Sequence, residues 1–181
     1  MNDVVRIIRA VPPARMLKSP AELAAAGLID AAKLPALEEV ASRYAVAITP
    51  AMAELIDAGD ADDPIAAQFV PDEGELDTTP EELADPIGDD AHEVAPGLVH
   101  RYPDRVLLKL VSSCAVYCRF CFRRETVGPN GAGTLARADL DAALAYIRAH
   151  DEVWEVIVSG GDPLVASPRR IAGLVQALAA I

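Results

Sequence analysis

The chain has 181 residues, 52 % of them hydrophobic but only 4 % aromatic, so Ala, Val, Leu and Ile must build its core and a wholly disordered protein is excluded. Its formal net charge of −12 repels phosphate backbones and anionic lipid, which sets nucleic-acid and membrane-surface roles aside. No stretch is long enough to span a bilayer; the most apolar end, residues 171–181, is too short.

The first residues carry Arg6 and Arg9 inside their apolar run, with no small-residue cleavage site behind a clean apolar core. No signal peptide is read there, and the chain is expected in the cytoplasm, where thiols stay reduced. Helices are expected over residues 19–58. Ser19-Pro20-Ala21-Glu22 has the spacing of a cap, a first-turn proline and a capping-box acid, and Gly27 is a natural stop. Leu34-Pro35 opens a second helix with Leu37, Val40, Ala41 and Tyr44 on one face. Thr49-Pro50 opens a third, expected to run to about Gly59. Residues 1–59 are thus read as a helical N-terminal region.

Residues 44–100 contain no Lys or Arg, while Asp and Glu recur throughout. Within that stretch Pro64, Pro71, Pro80, Pro86 and Pro96 punctuate an acidic run over residues 60–97, expected to be an extended wrapping segment and a solvated acidic loop. From His100 the pattern turns to strand, loop, helix, strand, loop, helix. Residues 105–111 read as a buried strand, 139–150 as a helix with Leu140, Ala143, Leu144 and Ile147 on one face, 153–159 as a second strand and 168–181 as a second helix. Two successive βα units imply a parallel sheet, too few to close a barrel. The fold class expected is α/β, a helical region followed by the first two βα units of a larger assembly.

All three cysteines fall in one loop, Cys114-Ala-Val-Tyr-Cys118-Arg-Phe-Cys121, directly after the first of these strands. Thiolates are soft ligands that suit iron–sulfur clusters or zinc. A zinc site needs a fourth ligand, and the nearest histidine, His100, lies on the far side of the strand. A disulfide framework needs an even count and an oxidising compartment. Three thiolates on a [4Fe–4S] cube leave one iron open, and that iron can chelate the amino and carboxylate groups of S-adenosylmethionine (SAM). Reduction of the cluster then cleaves SAM to a hydrogen-abstracting 5′-deoxyadenosyl radical. The spacing and its strand–loop context are those of radical SAM enzymes, in which an aromatic at the position of Phe120 commonly meets the adenine.

After the second strand comes Ser159-Gly160-Gly161-Asp162-Pro163. Glycines let a backbone approach a ligand closely, because no Cβ intervenes. Gly-Gly-Asp-Pro is also an ordinary turn sequence. One βα unit beyond the cysteine loop, it resembles the Gly-rich turn that meets the amino group of SAM in radical SAM proteins.

Residues 97–105 (GLVHRYPDR), 114–124 (CAVYCRFCFRR) and 159–164 (SGGDPL) together resemble the lysine 2,3-aminomutase family, and Asp85-Pro86-Ile87-Gly88 also fits. The resemblance implies a truncated radical SAM partial (β/α) barrel over residues 98–181 and an isomerase that moves an amino group from Cα to Cβ. Its cofactors would be a [4Fe–4S] cluster, SAM and pyridoxal 5′-phosphate (PLP). Carried over, Cys114, Cys118 and Cys121 would hold the cluster, and Phe120, Ser159, Gly160, Gly161 and Asp162 would meet SAM. Arg123 would pair with the substrate carboxylate and Arg105 would approach the PLP phosphate; a structural salt bridge is the alternative for either arginine. A small amino acid substrate, lysine first, and an electron donor for the cluster are the implied partners, and a homo-oligomer is compatible with the resemblance.

The PLP-anchoring lysine of the family lies in a glycine-rich motif far toward the C-terminus. Here the lysines are Lys18, Lys33 and Lys109, none in such a motif. Lys109 shares a strand face with Arg105 and is expected to pack along its methylenes. An incomplete chain, inactive alone, is therefore expected. The alternatives are the related β-lysine-forming enzyme that serves an elongation factor, and a non-catalytic Fe–S/SAM-binding fragment.

Overall fold

A computed structural model describes residues 15–128 and 133–181. The run containing Arg6 and Arg9 lies outside the described residues. The chain divides into two compact units, one comprising residues up to Asp77 together with Val116–Arg119, the other Thr78–Ala115 and Phe120–Ile181.

The first unit is built from short helices. Helix α1 (Pro20–Ala25) begins where the Ser19 hydroxyl accepts the Glu22 N–H, and Gly27 beyond its end takes a positive φ of 72°. The Glu22 carboxylate turns back to the Lys18 N–H at 2.6 Å and to Arg15 at 2.9 Å, one residue earlier than a standard capping box. Helix α2 (Leu34–Arg43) buries Leu37 and Val40, with Tyr44 at its cap completing a small cluster. Helix α3 is shorter than the sequence suggests, Pro50–Ala53, because an Asp-rich turn takes over the backbone: Asp57 N–H donates to the buried Asp63 carboxylate and Asp60 N–H to the Asp57 carbonyl. Asp63 also accepts the N–H groups of Ile65 and Ala66, which launches helix α4 (Ala66–Phe69). Leu17, Leu23, Val46, Ile48, Ala53 and Phe69 form the core of this unit, with Val116 and Cys118 packed against it.

The second unit is a four-stranded sheet in the order β1 (Glu93–Ala95), β2 (Leu98–Tyr102), β3 (Arg105–Val111), β4 (Glu155–Gly160). The first two pairings are antiparallel and β3–β4 is parallel, in register from Arg105 opposite Glu155 to Lys109 opposite Ser159. The crossover between β3 and β4 carries helix α5 (Arg137–Arg148), and helix α6 (Pro168–Leu178) follows β4. Alternation along β3 puts Val106, Leu108 and Leu110 on the covered face, where they meet Ala143, Leu144 and Ile147 of α5 and Leu174 of α6. The opposite face carries Arg105 and Lys109, with Glu155, Ile157 and Ser159 as their neighbours on β4. Lys109 Nζ lies 2.5 Å from the Glu93 carboxylate, an ion pair the alternation alone did not suggest. A mixed α/β fold is therefore present, with an antiparallel hairpin ahead of the parallel pair.

Candidate functional site: the cysteine loop

β3 ends at Val111 and the chain enters the cysteine loop through Ser112 and Ser113. The loop is held on both sides. Ser112 N–H donates to the Gly133 carbonyl, and Gly128 N–H returns a bond to Ser112 at 2.8 Å. On the other side the turn after β4 lies backbone to backbone with it: Gly161 N–H reaches the Val111 carbonyl at 2.6 Å and Asp162 N–H the Ser113 carbonyl at 2.9 Å. A Cβ at Gly160 would overlap the Val111 carbonyl oxygen and one at Gly161 the Ser113 carbonyl oxygen, and Gly160 also holds φ at 104°. The close approach that demands these glycines is thus made by the chain's own loop. The Asp162 carboxylate accepts Leu164 N–H, opening a short 3₁₀ turn.

All three cysteines are half-buried thiols outside any disulfide. Cys118 packs with Val116 against the core of the first unit, while Cys114 and Cys121 belong to the second. Among the described residues no three His, Cys, Asp or Glu side chains are gathered as ligands of a single ion. A cubane asks for something else, because its thiolates bind different irons and stand farther apart than ligands of one metal. Three soft thiols on one short loop are the donor set such a cluster takes. Phe120 stands 69 % exposed between two of them, with its ring available to a planar partner.

Arg119, for which the sequence alone suggests no role, is buried in the first unit. Its Nε and Nη2 donate to the two Glu75 carboxylate oxygens at 2.9 and 2.7 Å, and Nη1 donates to the Ala45 carbonyl at 2.6 Å. Its own N–H reaches the Gln68 carbonyl at 2.8 Å, and Tyr117 N–H reaches Ala47 at 3.1 Å. The middle of the cysteine loop is therefore fastened through five hydrogen bonds that involve no sulfur. The only advance signal is an arginine set between two cysteines of the loop, with an acid-rich stretch upstream.

Arg123 meets Asp89. Nε and Nη2 both donate to Oδ2, at 3.3 and 3.0 Å, with the two side chains nearly enclosed. Asp89 Oδ1 also faces Arg101 at 3.4 Å, and Arg101 Nη2 donates to the Ile87 carbonyl. The Asp85 carboxylate accepts the N–H groups of Asp89 and Asp90, and these backbone donors hold its pKa below the ordinary carboxylate value. The stretch Asp85-Pro86-Ile87-Gly88 is thus a folded cradle that presents Asp89 to two arginines. Nη1 of Arg123 makes no hydrogen bond among the described residues, and its guanidinium lies 4.6 Å from the Phe122 ring centroid.

Arg105 is engaged differently. Nε and Nη2 fork onto Asp104 at 2.9 and 2.8 Å, Glu155 stands 3.4 Å away, and the Trp154 ring lies beneath at 5.8 Å. The guanidinium hydrogen bond holds the Asp104 carboxyl well down, to about 2, and the same pairing raises Arg105. Two carboxylates already match this positive charge. No lysine stands ready to form an imine: Lys109 is ion-paired, and Lys18 and Lys33 lie on exposed surface. The residues present do not fit a resident PLP.

A family described as a 4Fe-4S single cluster domain matches residues 104–180, the stretch that contains the cysteine loop, α5, β4 and α6. The chain is also 39 % identical over 133 residues to the L-lysine 2,3-aminomutase of Clostridium subterminale, covering 74 % of this chain and 32 % of that protein. The Escherichia coli (strain K12) L-lysine 2,3-aminomutase is 35 % identical over 169 residues, 93 % of this chain and 48 % of its own length. Glutamate 2,3-aminomutase of Clostridioides difficile is 36 % identical over 128 residues, 71 % of this chain and 30 % of its own. The chain thus spans less than half the length of these curated relatives. Over that stretch it is a relative of the lysine 2,3-aminomutases, as its motifs indicate, and its relatives are isomerases. No helix among the described residues is long and apolar enough to cross a membrane.

Proposed function

We propose that this chain is the cluster- and SAM-holding portion of a radical SAM 2,3-aminomutase of the cytoplasm, acting on a free amino acid, with lysine as the substrate. The observation that carries the reading is the cysteine loop itself: Cys114, Cys118 and Cys121 follow β3, and the Gly160-Gly161 turn after β4 is hydrogen-bonded to the same loop. Cys114, Cys118 and Cys121 would hold the cluster, and the bound cluster with SAM supplies the hydrogen-abstracting chemistry. The chain's own residues do the rest. Arg119 fixes the loop's middle, Phe120 offers a ring face for the adenine, and Ser159, Gly160, Gly161 and Asp162 set the turn toward SAM. Arg123, held by Asp89 through Nε and Nη2, retains Nη1 for a substrate carboxylate.

Lysine is put first because relatives named for lysine recur among the matches, at 35–40 % identity; the glutamate enzyme, at 36 %, falls within that range, so the order rests on recurrence and not on identity. The chain alone is read as inactive in amino transfer, since it carries no lysine placed to anchor PLP. Anaerobic reconstitution with iron and sulfide, followed by iron counting and EPR of the reduced protein with and without SAM, tests this reading. About four irons per chain and a spectrum that SAM perturbs are expected. No cluster uptake, or a signal that ignores SAM, would sink it.

A further inference from the structure

In a chain of net charge −12, three arginines gather on one groove. The groove runs between α5 and α6 and encloses about 440 Å³. Leu140, Leu144, Leu174 and Ala177 make its apolar floor, and Arg137, Arg169 and Arg170 rim it with one opposing carboxylate, Asp141. Asp141 is already ion-paired to Arg137 at 2.9 Å. Arg170 Nη2 donates to the Leu135 carbonyl, and its Nε is buried with no hydrogen-bond partner among the described residues. Gly173 also lines the groove, in the middle of α6, where glycine costs a helix roughly 1 kcal/mol relative to alanine. A Cβ there would meet nothing within 4 Å, so no packing among the described residues explains the glycine.

The groove lies at a particular end of the sheet. α5 begins two residues after Leu135, whose N–H bonds to Leu110 near the end of β3. α6 begins just past the turn whose N–H groups bond to Val111 and Ser113. Arg137, Arg169 and Arg170 are therefore rooted at the same sheet end as Cys114.

The geometry points to this groove as the docking surface for an acidic one-electron carrier protein, which seats an apolar side chain on the Leu140–Leu174 floor and carboxylates against the arginine rim. The inference rests on the proposed cluster, which must gain one electron before it can act; the carrier loses that electron and the cluster takes it up. Charge complementarity selects an acidic partner, because the rest of this strongly negative surface repels one.

The test uses a flavodoxin as probe and the 181-residue chain reconstituted with cluster. Binding is titrated by flavin fluorescence at low and high salt, and cluster reduction by the reduced flavodoxin is followed by stopped-flow absorbance. Arg137→Glu with Arg169→Glu is expected to weaken binding at least tenfold and slow reduction equally, with iron content and thermal midpoint unchanged. Gly173→Leu, which fills the groove without touching charge, is expected to weaken binding as well. Both variants should be reduced by dithionite at the wild-type rate. Wild-type protein that does not bind flavodoxin, or variants that bind it as tightly as wild type, would overturn the docking inference while dithionite-driven SAM cleavage leaves the proposed function standing. A chain that takes up no cluster overturns the proposed function and this inference with it.

Discussion

Arg119 gives Glu75 two parallel N–H···O bonds, 2.9 and 2.7 Å long, in a setting where both side chains are almost out of reach of water. Removing one partner of such a pair strands the other charge in a poor solvent, at a cost of about 3–5 kcal/mol. Arg119→Ala is therefore expected to lower the urea midpoint sharply and to impair iron uptake, although no sulfur is altered. Arg119→Lys keeps the charge but not the fork and should recover only part of the loss. An Arg119→Ala protein as stable as wild type would show that the pair does not hold the loop.

Asp89 serves two arginines at once, so its loss should cost more than that of either partner. Asp89→Ala leaves the nearly enclosed Arg123 without its carboxylate, worth about 3 kcal/mol or more. Arg101→Ala, at a more exposed site, should cost about 1 kcal/mol. Denaturation midpoints of the two variants check the order; the reverse order would mean that Asp89 is held by its backbone contacts instead.

The carboxyl of Asp104 titrates near 2, below the ordinary value of about 4 for a free aspartate, because Arg105 binds its ionised form. Folding therefore favours the carboxylate, and the stability this contributes is complete above about pH 4 and lost as pH falls through about 2. Trp154 donates its indole N–H to the same carboxylate at 3.2 Å and is the only tryptophan in the chain. Its fluorescence should report the transition directly. Asp104→Asn should abolish that low-pH step while leaving the neutral-pH spectrum close to wild type.

At the turn after β4, Gly161→Ala forces a methyl group against the Ser113 backbone, and Gly160→Ala adds an unfavourable positive φ. Each should destabilise by about 1–3 kcal/mol and displace the cysteine loop. Gly27→Ala has a positive φ but open space, so it isolates the conformational part, about 1 kcal/mol. Equal midpoints for all three variants would mean that the loop yields to the added methyl.

The second unit was largely legible because its apolar periods are strong. The sequence pattern matches β3 to the residue and α5, β4 and α6 to within three, since Val106, Leu108 and Leu110 alternate and Ala143, Leu144 and Ile147 repeat at helical spacing. The β1–β2 hairpin was not read as strands. β1 has only three residues and little burial, and the turn at Gly97 holds a positive φ of 75°. The early end of α3 was equally hidden, because residues 54–58 suit a helix and only Asp63, further along the chain, redirects them. The cysteine spacing is legible locally, because all three thiols fall within one short loop. The partners of Arg119 and Arg123 lie 44 and 34 residues away, a distance over which sequence spacing carries no geometric information. The glycines were recognised as sites of close approach, but a ligand and a neighbouring backbone leave the same mark on a sequence.

The excursion of residues 116–119 into the first unit has a consequence for how this protein can be cut. Because the polypeptide leaves the second unit at Ala115 and returns to it at Phe120, a single cleavage at Asp77 releases neither unit whole. A piece ending at Asp77 would carry Glu75 without Arg119, and the complementary piece would present Val116 and Cys118 to solvent. During synthesis the first unit likewise waits some forty residues for its last strap. The two units are stitched into one covalent object, and the stitch is the segment that bears the middle cysteine.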